Sequence, residues 1–174
     1  NKELVAAHGA ELIQIAKEHN CDYYFEASVG GGIPIIRSLC DCLAGDDIIE
    51  IKGIVNGTTN YILTRMAAEG AEYETVLKDA QRLGLAEPDP TADVEGCDAA
   101  YKLSIAGSLA FHTRVKVENV YREGITKVSA EDIAFGREMG YVLKLLAIGK
   151  DNGTSIEARV HPVFLPAAPP LARV

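Results

Sequence analysis

The sequence predicts an α/β to α+β fold in which a mixed β-sheet is covered by helices on one face. Three observations lead there. Helical and strand periodicities alternate along the chain. Two long apolar runs, YVLKLLAIGK (141 to 150) and SIEARVHPVFL (155 to 165), are joined through Asp151-Asn152-Gly153, a hairpin signal. Of the 174 residues 48 % are hydrophobic, enough to bury one sizeable core, which is expected as a single domain over residues 1 to 174.

Taken in order, ELVAAHGAELIQIAKEHN (3 to 20) places Leu4, Val5, Leu12, Ile13 and Ile15 at amphipathic helical spacing, and DYYFEA (22 to 27) reads as a short strand. After a glycine run, Pro34 fits the first position of a helix running to about Leu43. DIIEIKGIV (47 to 55) is β-branched and bounded by GDD and NG, hence a strand, and helices follow at about 58 to 69 and 72 to 83. A longer helix is expected from 93 to 112, then a strand in YREGI (121 to 125). SAEDIAFGREMG reads as a helix capped by Ser129 and stopped by Gly140. The Pro-rich end, HPVFLPAAPPLARV, shows neither period and reads as a connection leading elsewhere. There is no internal repeat.

With 17 basic residues against 25 acidic ones the chain carries a net charge of −8 and has no basic run, which disfavours nucleic acid and anionic membranes as partners. No apolar stretch approaches the roughly 20 residues needed to cross a bilayer, and the N-terminus lacks a signal-peptide pattern; a cytoplasmic protein is expected. Cys21, Cys40, Cys42 and Cys97 form no CxxC pair and the four histidines are scattered, which argues against structural zinc. Cys40 and Cys42 fall in the apolar stretch IIRSLCDCLA and are expected to pack as small hydrophobes. Cys97 has no basic sequence neighbour to activate it as a nucleophile, so helix packing is its expected role.

The chemistry concentrates in LAEPDPTADVEGCDAAYKLSIAG (83 to 105). Pro88 and Pro90 stiffen a loop carrying Glu87, Asp89 and Asp93, and helical pattern begins near Asp93. Asp98 and Lys102 are i,i+4 neighbours on one helix face, where an acceptor and a proton-carrying ammonium can share one substrate; an ordinary exposed ion pair has the same spacing. Gly30, Gly31 and Gly32 lie between strand and helix patterns and suit either an anion cradle or a plain tight turn.

NKELVA at residue 1, FEASVGGGIPII at 25 to 36, KGIVNGTTNYIL at 52 to 63, the acidic segment and REGI at 122 to 125 occur in an order and spacing that resembles the catalytic (substrate and dimerisation) domain of homoserine dehydrogenase. The resemblance implies reduction of aspartate 4-semialdehyde to homoserine by NADP- or NAD-type cofactors, in threonine and methionine biosynthesis, by a homodimer acting on a small amino-acid substrate. It implies Lys102 as proton donor with Asp98 beside it in catalysis, Glu87, Asp98 and Asp93 as substrate-binding residues, and Lys2 and Gly84 as cofactor-binding residues. Gly57 and Thr58 would contact substrate unless Thr58 only caps a helix. Oxygens of Glu26, Val29, Gly31 and Ile33 would surround Na+. Leu85 departs from the aromatic residue of some family members. The chain begins without methionine and has no GxGxxG after a strand, so a piece of a longer protein is expected, with the nucleotide-binding Rossmann domain missing here and the fragment alone inactive. Two other readings stand beside this one: a related dehydrogenase that acylates a cysteine, and a non-catalytic dimerisation or regulatory module.

Overall fold

The computed structural model describes every residue from Asn1 to Val174. Along the chain run α1 (Lys2–Glu18), α2 (Ile35–Arg37, continued by a π-turn over Ser38–Cys42), β1 (Glu50–Gly53), α3 (Gly57–Glu69), α4 (Tyr73–Arg82), α5 (Thr91–Val94), α6 (Cys97–Ala110), β2 (Tyr121–Arg122), α7 (Ala130–Glu138), β3 (Tyr141–Asp151) and β4 (Ile156–Pro166). The four strands form one sheet in the order β1-β3-β4-β2. β2 pairs parallel with β4, setting Tyr121 opposite Arg159 and Arg122 opposite Val160. The short connection between β3 and β4 makes that pair antiparallel, so the sheet is mixed, as expected. No helix is long and apolar enough to cross a membrane.

The chain divides into two compact units, one of residues 1–51, 100–120 and 148–158, the other of residues 52–99, 121–147 and 159–174. In the first, Asn1 caps α1 by accepting from the Leu4 N–H, and Val5, Val29, Ile36 and Ile105 form a buried cluster against which Tyr23 and Phe25 pack. In the second, α3 buries Thr59, Ile62, Leu63 and Met66, the i, i+3, i+4, i+7 face of an amphipathic helix, and ends at Gly70 in the left-handed conformation. Ile62, Leu63 and Met66 each contribute about 1.5–3 kcal/mol on burial. α7 opens with a capping box, Ser129 and Asp132 exchanging side-chain and backbone bonds. Lys144 is buried in β3, and its Nζ donates to Asn60 Oδ1 (2.8 Å), Thr64 Oγ1 (3.0 Å) and the Val174 carbonyl (2.5 Å).

Several expectations are corrected. DYYFEA is not a strand: Tyr23 and Phe25 do alternate with the exposed Tyr24, but they stack on one another and pack on the Val5 cluster with no ladder partner. The helix expected over 93 to 112 is two helices, broken at Gly96, whose φ of +77° a helical residue does not adopt. Pro34 is the N-cap of α2 rather than its first residue, and the strand over 47 to 55 shrinks to four residues. HPVFLP is not irregular: β4 continues through Pro162 to Pro166, which a proline permits because the two-residue β2 reaches only Arg159 and Val160 and leaves that edge open. Cys40 and Cys42 are exposed, since the π-turn changes the period and leaves Ile36 the only buried side chain of that stretch.

Gly124 shows how closely the backbones pack, because a Cβ there would lie 2.3 Å from the Val94 carbonyl oxygen and 2.7 Å from the Glu95 Cα. Gly124→Ala is expected to lower unfolding stability by about 2–3 kcal/mol, read as a reduced urea midpoint at unchanged slope. Burial depresses the Lys144 ammonium below its ordinary value of 10.5. The unfolded chain therefore binds this proton more tightly, and the group's contribution to stability rises with pH until that unfolded value is passed. Urea unfolding across the alkaline range should show this rise in the wild type and its loss in Lys144→Met.

Candidate active site

Asn56 is the hub of the polar cluster in the second unit. It is the N-cap of α3, with extended backbone, and its Oδ1 accepts from the Thr59 N–H (2.8 Å) and the Thr59 hydroxyl (2.9 Å). Those two donors fix which way the amide faces. The Nδ2 points the other way and donates to Asp93 Oδ1 (2.7 Å) and Asp98 Oδ2 (2.9 Å). Asn56 and Asp98 are buried, and Asp93 is half-buried. On one continuous helix, residues five apart point about 140° away from each other. The break at Gly96 between α5 and α6 is what lets both carboxylates reach one nitrogen. Asp98 also sits in the first turn of α6, where the helix dipole favours an anion.

The loop from 83 to 90 is tied down through its backbone. The Thr58 hydroxyl donates to the Leu85 carbonyl (3.1 Å), and Gln81 Nε2 donates to the carbonyls of Glu87 (3.1 Å) and Pro88 (3.2 Å). Gly84, just past α4, has φ +72° on an exposed turn, and its N–H donates to the Gln81 carbonyl (3.0 Å). Asp89 accepts from the hydroxyl and N–H of Thr91, and those bonds hold its carboxyl below the usual carboxylate value. Glu87 and Leu85 are exposed on this loop, and Gly57 is exposed at the start of α3. The cap role that Thr58 was one candidate for falls to Asn56, a residue the sequence reading passed over although asparagine before a helix start is itself a cap signal.

In the first unit a cleft of about 790 Å³ is lined by Lys2, Tyr23, Glu26, Ser28, Gly31 and Lys102. Lys102 is half-buried, one turn after Asp98 along α6. The Ser28 hydroxyl is buried and has no hydrogen-bond partner, a second residue that the sequence reading missed; nothing in its sequence context marks it. The Glu26 carboxylate accepts from the N–H groups of Ile36 (2.9 Å) and Arg37 (2.8 Å), closing the bend over 26 to 36. Along that bend Gly30 and Gly31 take φ +77° and +60°, the Glu26 carbonyl accepts from Val29 and the Ile33 carbonyl accepts from Ile35. Each of those two carbonyls keeps a lone pair, so the oxygen set of Glu26, Val29, Gly31 and Ile33 has the hard-donor chemistry that an alkali cation accepts.

The cysteines offer less. Desolvation first, then Asp41 and Glu26, pushes the Cys40 thiol up, the reverse of what a thiolate nucleophile needs. Cys97 is half-buried and lines a separate cavity with Arg122 and Lys127, basic neighbours that sequence order did not reveal.

A family model described as homoserine dehydrogenase matches residues 34–174. The chain is 52 % identical over 174 residues to a homoserine dehydrogenase of Bacillus subtilis and 54 % identical over 179 residues to one of Corynebacterium glutamicum; all of this chain is covered in both cases, and 40 % of each relative. The chain thus spans about two-fifths of the length of these relatives. Its fold superposes on the crystal structure of a homoserine dehydrogenase from Thiobacillus denitrificans with a TM-score of 0.97 at 45 % identity, covering the whole chain and 40 % of that one. A hyperthermophilic archaeal homoserine dehydrogenase solved in complex with NADPH gives 0.83 at 32 % identity, covering 99 % of this chain and 49 % of that one.

The tie between α3 and the acidic loop can be tested directly. Thr58→Val keeps the side-chain shape but removes the donor to Leu85. Amide exchange over residues 84–87 should speed up several-fold, with a global loss of about 1 kcal/mol.

Proposed function

The chain belongs to the homoserine dehydrogenase family, and on that premise we propose that it is the substrate-binding part of an enzyme that reduces aspartate 4-semialdehyde to homoserine with NADPH or NADH. The observation that carries the reading is the acidic pair Asp93 and Asp98 held on one amide, with Lys102 one helical turn beyond Asp98. Asp98 and Asp93, with Glu87 from the loop, are assigned to the amino-acid part of the substrate, whose ammonium pairs with carboxylates through charge-assisted hydrogen bonds. Lys102 is assigned to the carbonyl oxygen: its ammonium stabilises negative charge developing there and then gives up a proton, so that the oxygen becomes a hydroxyl.

The nicotinamide, when bound, supplies the hydride. The cleft is lined by Lys2 and Lys102, by the carboxylates of Glu3 and Glu26 and by the unpartnered Ser28 hydroxyl, polar surroundings for a ligand, and Lys2 is the residue assigned to hold the cofactor there. The exposed, side-chain-free Gly84 is assigned to close backbone approach. The bend over 26 to 33 would hold Na+ through the oxygens of Glu26, Val29, Gly31 and Ile33, where the ion would order the loop. We further assign the protein to the cytoplasm, to threonine and methionine biosynthesis, and to a homodimer. Phe135 and Met139, exposed four residues apart at α7, are apolar surface of the kind that a second copy covers.

Oxidation of NADPH and NADH by the full-length protein with aspartate 4-semialdehyde, compared between wild type and Lys102→Ala, tests this reading. The expected result is turnover in the wild type and a loss of at least about a hundred-fold in the variant. A variant within a few-fold of wild type would remove Lys102 as proton donor. A wild type that oxidises neither cofactor would favour the non-catalytic module.

A further inference from the structure

Resting on that functional reading, we propose that Asn56 is the positioning residue for substrate recognition: its amide sets Asp93 and Asp98 as a matched pair of acceptors for the substrate ammonium. The geometry makes the argument. Both Nδ2 hydrogens are used, at 2.7 Å to Asp93 Oδ1 and 2.9 Å to Asp98 Oδ2. Two oxygens bound to the two hydrogens of one planar amide are held about 5 Å apart. Two carboxylates at such a distance repel, and one of them, Asp98, is buried. A neutral donor that bonds to both lets the pair stay together without adding positive charge.

The amide cannot turn over to undo this. Its oxygen is committed to the N–H and hydroxyl of Thr59 at the start of α3, so a swap of O and N would set carbonyl oxygen against two carboxylates and NH₂ against a backbone N–H. Asn56 therefore does two separable things, capping α3 through its oxygen and setting the acidic pair through its nitrogen. The Asp93 contact also ties α5 to the start of α3 across the Gly96 break.

That separation defines the experiment. Asn56→Asp keeps the size and the cap acceptor, since aspartate caps helices as well as asparagine does, but removes both donors and adds a third carboxylate. Asn56→Gln keeps an amide but gives up the cap. Both variants of the full-length protein are assayed for homoserine oxidation with NADP+ and NAD+, and their unfolding midpoints are measured alongside. For Asn56→Asp the expected result is a rise of at least ten-fold in KM for homoserine, a smaller change in kcat, an unchanged KM for the cofactor and a lowered midpoint, because a third carboxylate then faces a buried one. Asn56→Gln should retain more affinity for homoserine than Asn56→Asp although it gives up the cap. A purely structural cap predicts the lower KM for Asn56→Asp, and Asn56→Asp with a KM for homoserine within two-fold of wild type overturns the proposal. Failure of the functional reading looks different, because wild type would then fail to oxidise homoserine at all, and the substrate role of Asn56 would fall with it.

Discussion

The amide of Asn56 joins the start of one helix to the acidic residues of two others. Its oxygen supplies acceptors that the first turn of α3 lacks, and its nitrogen holds Asp93 and Asp98 in a place where two carboxylates would otherwise repel. Because Asn56 and Asp98 are buried, each bond in the set is worth more than it would be at the surface, and removing one partner strands the others. The rest of the acidic segment is arranged around this contact. Gly96 breaks the helix so that both aspartates can face the amide, and Gly124 lacks a side chain where a Cβ would strike the backbone at Val94 and Glu95.

The first unit solves a different problem. A bend rich in glycine has to be held in one shape without strand or helix ladders, and it does so with a single carboxylate. Glu26 takes two N–H groups at the start of α2, while Tyr23, Phe25 and Val29 anchor the segment before it in the apolar cluster of Val5, Ile36 and Ile105. The cleft is lined by Lys2 and Lys102, by Glu3 and Glu26, and by one buried hydroxyl without a partner, that of Ser28. In the proposed function these are the groups that meet the cofactor and carry the proton, whereas the Asn56 set recognises the amino acid. Binding is thus assigned to rigid, mutually bonded carboxylates and proton transfer to a half-buried lysine, a division suited to a reaction in which only one end of the substrate changes.

The alternative readings fare unequally. The acylating reading needs an activated thiolate, and Cys97, the thiol it would use, shares its cavity with Glu95, Glu123 and Asp132 as well as Arg122 and Lys127, so no net positive surroundings mark it as a thiolate site. A non-catalytic module has no need to bury an aspartate and bond it to an asparagine that also holds a second one. Burying a carboxylate is costly, and such an arrangement is found where the group has work to do.

Much of the secondary structure was legible in the sequence, because periodicity and caps are local. The extents of α1, α3 and α4, the Ser129 capping box and the hairpin of β3 and β4 all follow from residues a few positions apart. So did the spacing of Asp98 and Lys102, which a helix fixes by itself, and the order of motifs by which the family was recognised. What the sequence could not decide were outcomes that depend on a distant partner. DYYFEA has the alternation of a strand but no strand to pair with, and Pro162 enters a strand only because β2 stops short. Gly96 divides a helix that the pattern ran straight through. The role of Asn56 depends on Asp93 and Asp98, 37 and 42 residues further on. Hydrophobic period records which face of an element turns inward, but it carries no information about which distant hydrogen-bond donor will meet which acceptor there; only the folded chain settles that.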